Sequence, residues 1–185
     1  YRPEEVAAIV ALARERKLAI HMDGARFANA VAFLESTPAE AAGDVDALSF
    51  GFIKNGGLGA EAIVFFDAAL ADVARYRRKR AGHLQSKGRF LAAQLHAMLD
   101  GDVWLTNARY ANAAAQEIAA GCEERLMHAA EANELFVRCT ADERQALREK
   151  GFGFYDWGDD AARFVTAWNT PEEDASALAK ALAAL

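Results

Sequence analysis

Apolar residues recur at helical spacing from the start of the chain, with Val6, Ile9, Val10 and Ala13 on one face and Glu4, Glu5, Arg14 and Arg16 off it. The pattern predicts an amphipathic helix over residues 3–17, with Pro3 in its first turn and Arg14, Arg16 and Lys17 near its end. Residues 18–22 then read as a short apolar strand ending at Asp23-Gly24-Ala25-Arg26, followed by a helix over 26–34 and a shorter one over 38–42. Residues 47–53 form a nearly continuous apolar run, the length of a strand buried on both faces. Lys54 ends that run, and Asn55, Gly56, Gly57 and Gly59 follow it. Residues 61–66 read as one more strand. Helix and strand alternation predicts an α/β layer with a largely parallel sheet. The link between Phe50 and Phe66 is too short for a helical crossover, so that last pair is expected to be antiparallel.

From residue 67 to about 121 the pattern is almost wholly helical, with Phe90, Leu91, Gln94, Leu95 and Met98 on one face and a break at Asp100-Gly101-Asp102. Beyond it, residues 134–139, 152–157 and 163–168 read as strands, and 141–150 and 171–185 as helices. This is the composition of a small α+β domain. The expected division is 1–85, part of a large α/β domain; 86–121, connecting helices; and 122–185, the small domain.

Composition narrows the function. With 53% hydrophobic and 26% charged residues, the chain has ample material for a core. A net charge of −6 argues against a nucleic-acid or anionic-membrane partner. Cys122 and Cys139 have neither metal-ligand spacing nor a disulfide framework, so reduced thiols and a cytoplasmic location are expected. No apolar run reaches membrane-span length. The opening Tyr1-Arg2-Pro3, without an initiator Met, leads to the expectation that this is a piece of something longer.

Three features carry candidate chemistry. A lysine at the end of a buried strand suits Schiff-base chemistry, because burial disfavours the ammonium. Lys54 fits that description, although Lys-Asn-Gly is also ordinary loop chemistry. Asp23 ends a neighbouring strand, and ligands of open α/β sheets bind beyond the carboxyl ends of strands. It could equally cap the helix that follows. The basic run Arg75-Tyr76-Arg77-Arg78-Lys79-Arg80, with His83, Lys87 and Arg89 beyond, reads by itself as a solvated helix face.

Taken together, His21-Met22-Asp23-Gly24-Ala25-Arg26-Phe27-Ala28-Asn29-Ala30, Asp46-Ala47-Leu48-Ser49-Phe50, Lys54-Asn55-Gly56, the strand at 61–66, Arg78 to His83, Ser86 to Phe90 and Arg163-Phe164-Val165-Thr166 resemble the threonine aldolases. The type resembled is the low-specificity L-threonine aldolase, phenylserine aldolases included, within the β-eliminating-lyase group of fold-type I pyridoxal 5'-phosphate enzymes. The resemblance covers essentially the whole chain. It implies a PLP-dependent transferase-like fold: the second part of a large α/β domain plus a small C-terminal α+β domain.

By that resemblance Lys54 forms the Schiff base with pyridoxal phosphate, Asp23 pairs with the pyridine nitrogen and Arg26 lies near the ring oxygen, one helical turn beyond Asp23. Arg163 would grip the substrate carboxylate and Lys79 would approach the substrate. Ser49 and Asn55 are candidates to line the site, and glycines 56, 57 and 59 could offer amides to a phosphate. His21 is read as a satisfied core residue, with His83 a weak candidate base. Relatives carry a Gly-Gly-Gly-Met-Arg-like turn where this sequence has Gly82-His83-Leu84-Gln85-Ser86, which sets the substrate-side role of that loop apart. The implied reaction is cleavage of L-threonine, L-allo-threonine or a related β-hydroxy-α-amino acid to glycine and an aldehyde. Another reaction at the α-carbon, such as β-elimination, shares the same cofactor residues. The resemblance further implies a homodimer or homotetramer, and a first half of the large domain supplying phosphate and ring-stacking contacts. A piece lacking that half could be an inactive packing fragment.

Overall fold

In the computed structural model, which describes residues 1–185, contacts divide the chain into two units, residues 1–106 and 107–185. The first opens with helix α1 (Pro3–Glu15), which has Pro at its start, Glu4 and Glu5 in its first turn and Arg14 in its last. This is the order of charges that complements a helix dipole. It buries Val6, Val10 and Ala13. The helix closes through Lys17 at φ 56°, with the Leu18 amide still bonded to the Ala13 carbonyl at 2.8 Å. Leu18 is therefore part of the helix end and remains exposed. For that reason strand β1 (His21–Gly24) starts three residues later than the apolar run suggests, and takes in Asp23.

Helices α2 (Phe27–Leu34) and α3 (Pro38–Ala42) carry the chain across to strand β2 (Ala47–Phe50). A reciprocal cap sets the start of α3: Thr37 Oγ1 accepts the Glu40 amide, and the Glu40 carboxylate accepts the Thr37 amide. β2 pairs parallel to β1 with Asp23 opposite Ser49, and antiparallel to β3 (Ala62–Phe65) with Phe50 opposite Ala62. The parallel pair matches the expectation from helix and strand alternation, and the antiparallel return the expectation from connection length. The sheet has the order β1-β2-β3, which leaves β1 at an edge.

β2 is shorter than its apolar run. One more rung forms, from the Gly51 amide to the Gly24 carbonyl at 3.0 Å. The Phe52 and Ile53 amides then turn to the Glu61 carboxylate at 3.2 Å each, and Ile53–Asn55 winds into a 3-10 turn. Phe52 is buried beneath this turn, while Ile53 is exposed. The run is apolar because it lines a turn, not because it extends the strand.

Helices α4 (Ala68–Arg80) and α5 (Arg89–Leu99) follow, then a 3-10 turn at Asp100–Asp102 where Gly101 takes a positive φ of 62°. α4 buries no residue and α5 only Met98; of the apolar face expected on α5, Leu91, Gln94 and Leu95 are partly buried and Phe90 is exposed. Helix α6 (Val103–Ala120) leads into the second unit.

There, strands β4 (Glu134–Arg138), β5 (Tyr155–Trp157) and β6 (Ala161–Val165) form an antiparallel sheet ordered β4-β6-β5. Helix α7 (Ala141–Glu149) joins β4 to β5, and α8 (Glu172–Ala183) closes the chain. Leu135, Val137 and Phe164 pack with Ile118, Leu147 and Leu182 in one core. β6 runs from two residues before the expected start and stops at Val165. Thr166 adds one more rung beyond it, its amide donating to the Asn133 carbonyl at 3.0 Å, while its hydroxyl donates to the Ala111 carbonyl at 2.7 Å. No helix is long and apolar enough to cross a membrane.

Candidate active site

The loop at the carboxyl end of β1 is shaped by Asp23 itself. Its Oδ1 accepts the Ala25 amide at 3.0 Å, an Asx turn that bends the chain toward α2. Asp23 is therefore not the cap of that helix; Arg26 occupies the cap position, at φ −127°. The step from Asp23 to Arg26 is a turn and not a helical one, which corrects the path expected from the sequence. Even so, Asp23 and Arg26 line one open groove along the free edge of β1, with His21 and Phe27 beside them.

His21 is exposed, not a core residue, because β1 is an edge strand. Its Nε2 lies 2.7 Å from Ser49 Oγ. Alternation along paired strands puts His21, Asp23 and Ser49 on one face of the sheet. Ser49 thus stands beside Asp23, where the sequence left its role open.

Lys54 sits inside the 3-10 turn after β2, exposed and without an ion pair, rather than at a buried strand end. Asp23 and Lys54 nevertheless belong to the carboxyl ends of two adjacent parallel strands. Two side chains hold the lysine turn: Glu61, which the sequence did not single out, and Asn55, which it offered only as a site-lining candidate. Glu61 accepts the Phe52 and Ile53 amides, and Asn55, buried, donates from Nδ2 to the Trp104 carbonyl at 2.7 Å. Asn55 thus anchors the turn. The only signal for Glu61 was a charge at the start of an apolar strand.

The glycines do not offer free amides. Gly56 N–H goes to the Ile53 carbonyl at 3.3 Å, Gly57 N–H to the Phe52 carbonyl at 2.8 Å and Gly59 N–H to Gln94 Oε1 at 3.2 Å. Their role is to let the turn close on itself. Lys79 lies in the exposed last turn of α4 with Arg77, Arg78 and Arg80, and Arg78 Nε donates to the His83 carbonyl.

Arg163 lies in the second unit, on the central strand β6, opposite Phe136 on β4 and Tyr155 on β5. Its Nη2 donates to Glu134 Oε1, and its guanidinium stands 6.0 Å from the centre of the Tyr155 ring. It is half-buried, not a solvated strand residue.

The profile of the β-eliminating lyase family matches residues 1–141. The chain belongs to the β-eliminating lyase family. Among curated relatives, it is 44% identical over 179 residues to a low specificity L-threonine aldolase from Pseudomonas sp. (strain NCIMB 10558), a match covering 93% of this chain and 52% of that protein. Among solved structures it superimposes on a threonine aldolase from Leishmania major with a TM-score of 0.89 at 28% identity, over 98% of this chain and 56% of that one. A lysine aminotransferase from M. tuberculosis, 16% identical, gives a TM-score of 0.61 over 100% of this chain and 45% of that one, a likeness of fold alone. The fold of this β-eliminating lyase chain is accordingly fold type I. The chain spans about half the length of the relatives it matches, 52% of the Pseudomonas protein.

Proposed function

We propose that the protein containing this chain cleaves L-threonine, L-allo-threonine or a related β-hydroxy-α-amino acid, phenylserine included, to glycine and an aldehyde, with pyridoxal 5'-phosphate as cofactor. The observation that carries the reading is that Asp23, near the carboxyl end of β1, and Lys54, in the turn that follows β2, lie beyond the same end of two adjacent parallel strands. It is supported by the 44% identity to a low specificity L-threonine aldolase.

The residues present suit one end of that cofactor. Lys54 is an accessible primary amine for an aldehyde, and Asp23 an accessible carboxylate for a ring N–H. The phosphate end is not provided for by glycines 56, 57 and 59, whose amides are engaged within the chain. When bound, pyridoxal phosphate supplies an aldehyde for an amine and an electron-poor ring that accepts the electron pair of the breaking bond. Asp23 would hold a proton on the ring nitrogen, and the anion keeps that proton in place. Arg26, in the same groove, would face the ring oxygen. Arg163 would bind the substrate carboxylate through two N–H groups and so fix the direction of the Cα–Cβ bond. A lysine in its place would keep the charge and lose the orientation. Lys79 is assigned to the substrate side on resemblance alone.

The active protein is proposed to be a homodimer or homotetramer in the cytoplasm. The uncovered apolar side chains of α4 and α5, Val73, Tyr76 and Phe90 among them, support an additional packing surface. Two free buried thiols are in keeping with a reducing compartment.

Product analysis on the full-length protein tests the activity. Glycine and acetaldehyde from L-threonine are expected; pyruvate and ammonia from L-serine, without glycine formation, would assign β-elimination instead. Borohydride reduction followed by peptide mapping should place the cofactor on Lys54, and absence of label there would remove the lysine from its role.

A further inference from the structure

Glu134 and Arg163 are diagonal neighbours on the outer face of the small sheet, Glu134 lying opposite Val165 and Arg163 opposite Phe136. Their side chains are about equally withdrawn from water, with 25% and 23% exposure, and they form an ion pair through Arg163 Nη2 and Glu134 Oε1. The surroundings are aromatic. Phe136 packs on Trp157 with ring centres 4.8 Å apart, and Tyr155 lies beside the guanidinium.

A guanidinium binds a carboxylate best with two parallel N–H groups. Its two such edges pair Nε with Nη2 and Nη1 with Nη2; Nη2 carries one N–H on each, so the bond to Glu134 takes up one edge. A second carboxylate arriving at this guanidinium would leave two negative charges on one positive one. Both side chains of the pair are about three-quarters withdrawn from water, so that repulsion is less screened than on an open surface.

We propose that Glu134 is a built-in competitor for the carboxylate that Arg163 binds: it holds the guanidinium before substrate arrives and is displaced by the substrate carboxylate, which sets the affinity of the site for α-carboxylates. This rests on the reading of Arg163 as the carboxylate-binding residue. No bond is made or broken, only an exchange of one carboxylate for another on the same cation. A residue that merely steadied Arg163 would have the opposite effect when neutralised.

The test uses the full-length protein loaded with its cofactor. Glu134→Gln keeps the size and removes the charge, and Glu134→Ala is the second variant should the amide disturb folding, with thermal unfolding recorded for both. The expected result is a fall of about ten- to a hundredfold in KM for L-threonine and in the Kd for glycine, the range that follows from freeing one charge-assisted hydrogen bond. The Kd of 1-amino-2-propanol, which lacks the carboxylate, should stay the same. An unchanged or raised KM for L-threonine would overturn the proposal, as would an equal shift for 1-amino-2-propanol. Arg163→Gln separates the two levels. If it leaves KM and the glycine Kd untouched, the role of Arg163 itself falls; if it raises both while the Glu134 variants lower neither, only the competitor role of Glu134 falls.

Discussion

Arg14, in the last turn of α1, meets Asp46, just before β2, with two hydrogen bonds: Nη1 to Oδ2 at 2.8 Å and Nη2 to Oδ1 at 2.9 Å. The same carboxylate accepts the Ile20 amide at 2.6 Å, and Arg14 Nη2 also reaches the Asp44 carbonyl at 2.9 Å. One ion pair therefore joins the end of α1, the entry to β1 and the entry to β2, and so helps fix the register that puts Asp23 opposite Ser49.

The Arg14 guanidinium, and after it the Ile20 amide, hold the Asp46 carboxyl below the usual carboxylate range. A group whose folded pKa is depressed contributes stability that is present above its unfolded value and is lost as pH falls through the folded one. Asp46→Asn is thus expected to lower the thermal midpoint at neutral pH and to make stability less sensitive to acid. Melting curves across the acid range would check it. An equal drop in midpoint at every pH, including below the carboxylate range, would show that the pair adds nothing electrostatic.

Gly51 is expected to tolerate no side chain. A Cβ there would lie 2.6 Å from the Ala25 carbonyl oxygen and 2.8 Å from Ala25 Cα. Both are backbone atoms of the turn that carries Asp23 and Arg26, so relief requires moving that turn away from β2. Gly51→Ala should destabilise by about 1–3 kcal/mol, the usual range for overpacking. Catalytic activity should fall together with cofactor retention, since the displaced turn holds Asp23. A variant with wild-type urea midpoint and activity would show that the two turns are not in close register.

This close approach marks the limit of what the sequence reveals. Periodicity located the helices well; helix and strand alternation pointed to the parallel β1–β2 pair, and connection length to the antiparallel β2–β3 pair. Residues 47–53 misled because an apolar run says that side chains are buried, not that the backbone is extended; Phe52 is buried in a turn. The glycines after Lys54 suggested anion binding, yet whether their amides are free depends on carbonyls a few residues back and on Gln94, 35 residues away. That Asp23 and Lys54 follow neighbouring strands was legible from the chain order, and strand ends are where α/β sheets hold ligands. Glu134 was not, because a diagonal partner on a sheet is set by register, which no single strand encodes.

At Asp23 and Lys54 the expected losses differ in kind. Lys54→Arg retains the positive charge but not the primary amine, and should reduce aldol cleavage by roughly three orders of magnitude or more. Asp23→Asn retains shape and loses the anion, so it should weaken cofactor retention and lower kcat while leaving Lys54 open to borohydride labelling. Spectra of the purified variants, with glycine formation measured alongside, check both. Full activity in Lys54→Arg would remove the lysine from the chemistry.

In the second unit, Asn133 and Thr166 fix the strand that carries Arg163. Asn133 Nδ2 donates to the Thr166 carbonyl at 2.7 Å, and the Thr166 amide donates to the Asn133 carbonyl at 3.0 Å. Both residues are buried, so losing one partner leaves a polar group without water. Asn133→Ala should cost about 1–3 kcal/mol. Because β6 carries Arg163 three residues earlier, the same variant should raise KM for L-threonine more than it lowers kcat. A purely thermal effect, with KM unmoved, would separate this joint from substrate binding.

The two thiols give a test of the small core that needs no cofactor. Burial pushes the Cys122 thiol up to about 11, with Cys139 nearby adding to the shift. Cys139 is raised as well, burial again being the main cause. Raising a thiol from an ordinary value near 9 to about 11 cuts its thiolate fraction at neutral pH roughly a hundredfold, and the thiolate is the reactive form. Both side chains also sit in the core formed with Leu135, Leu147 and Leu182, closed to a bulky reagent. Labelling with a disulfide reagent at pH 8 should therefore be negligible in the folded protein and complete at Cys122 and Cys139 once urea unfolds it. Because the reaction waits on unfolding, its rate at low urea reports how often this core opens. Prompt labelling of Cys122 or Cys139 without denaturant would mean that α6, β4 and α7 do not close over the two cysteines as described.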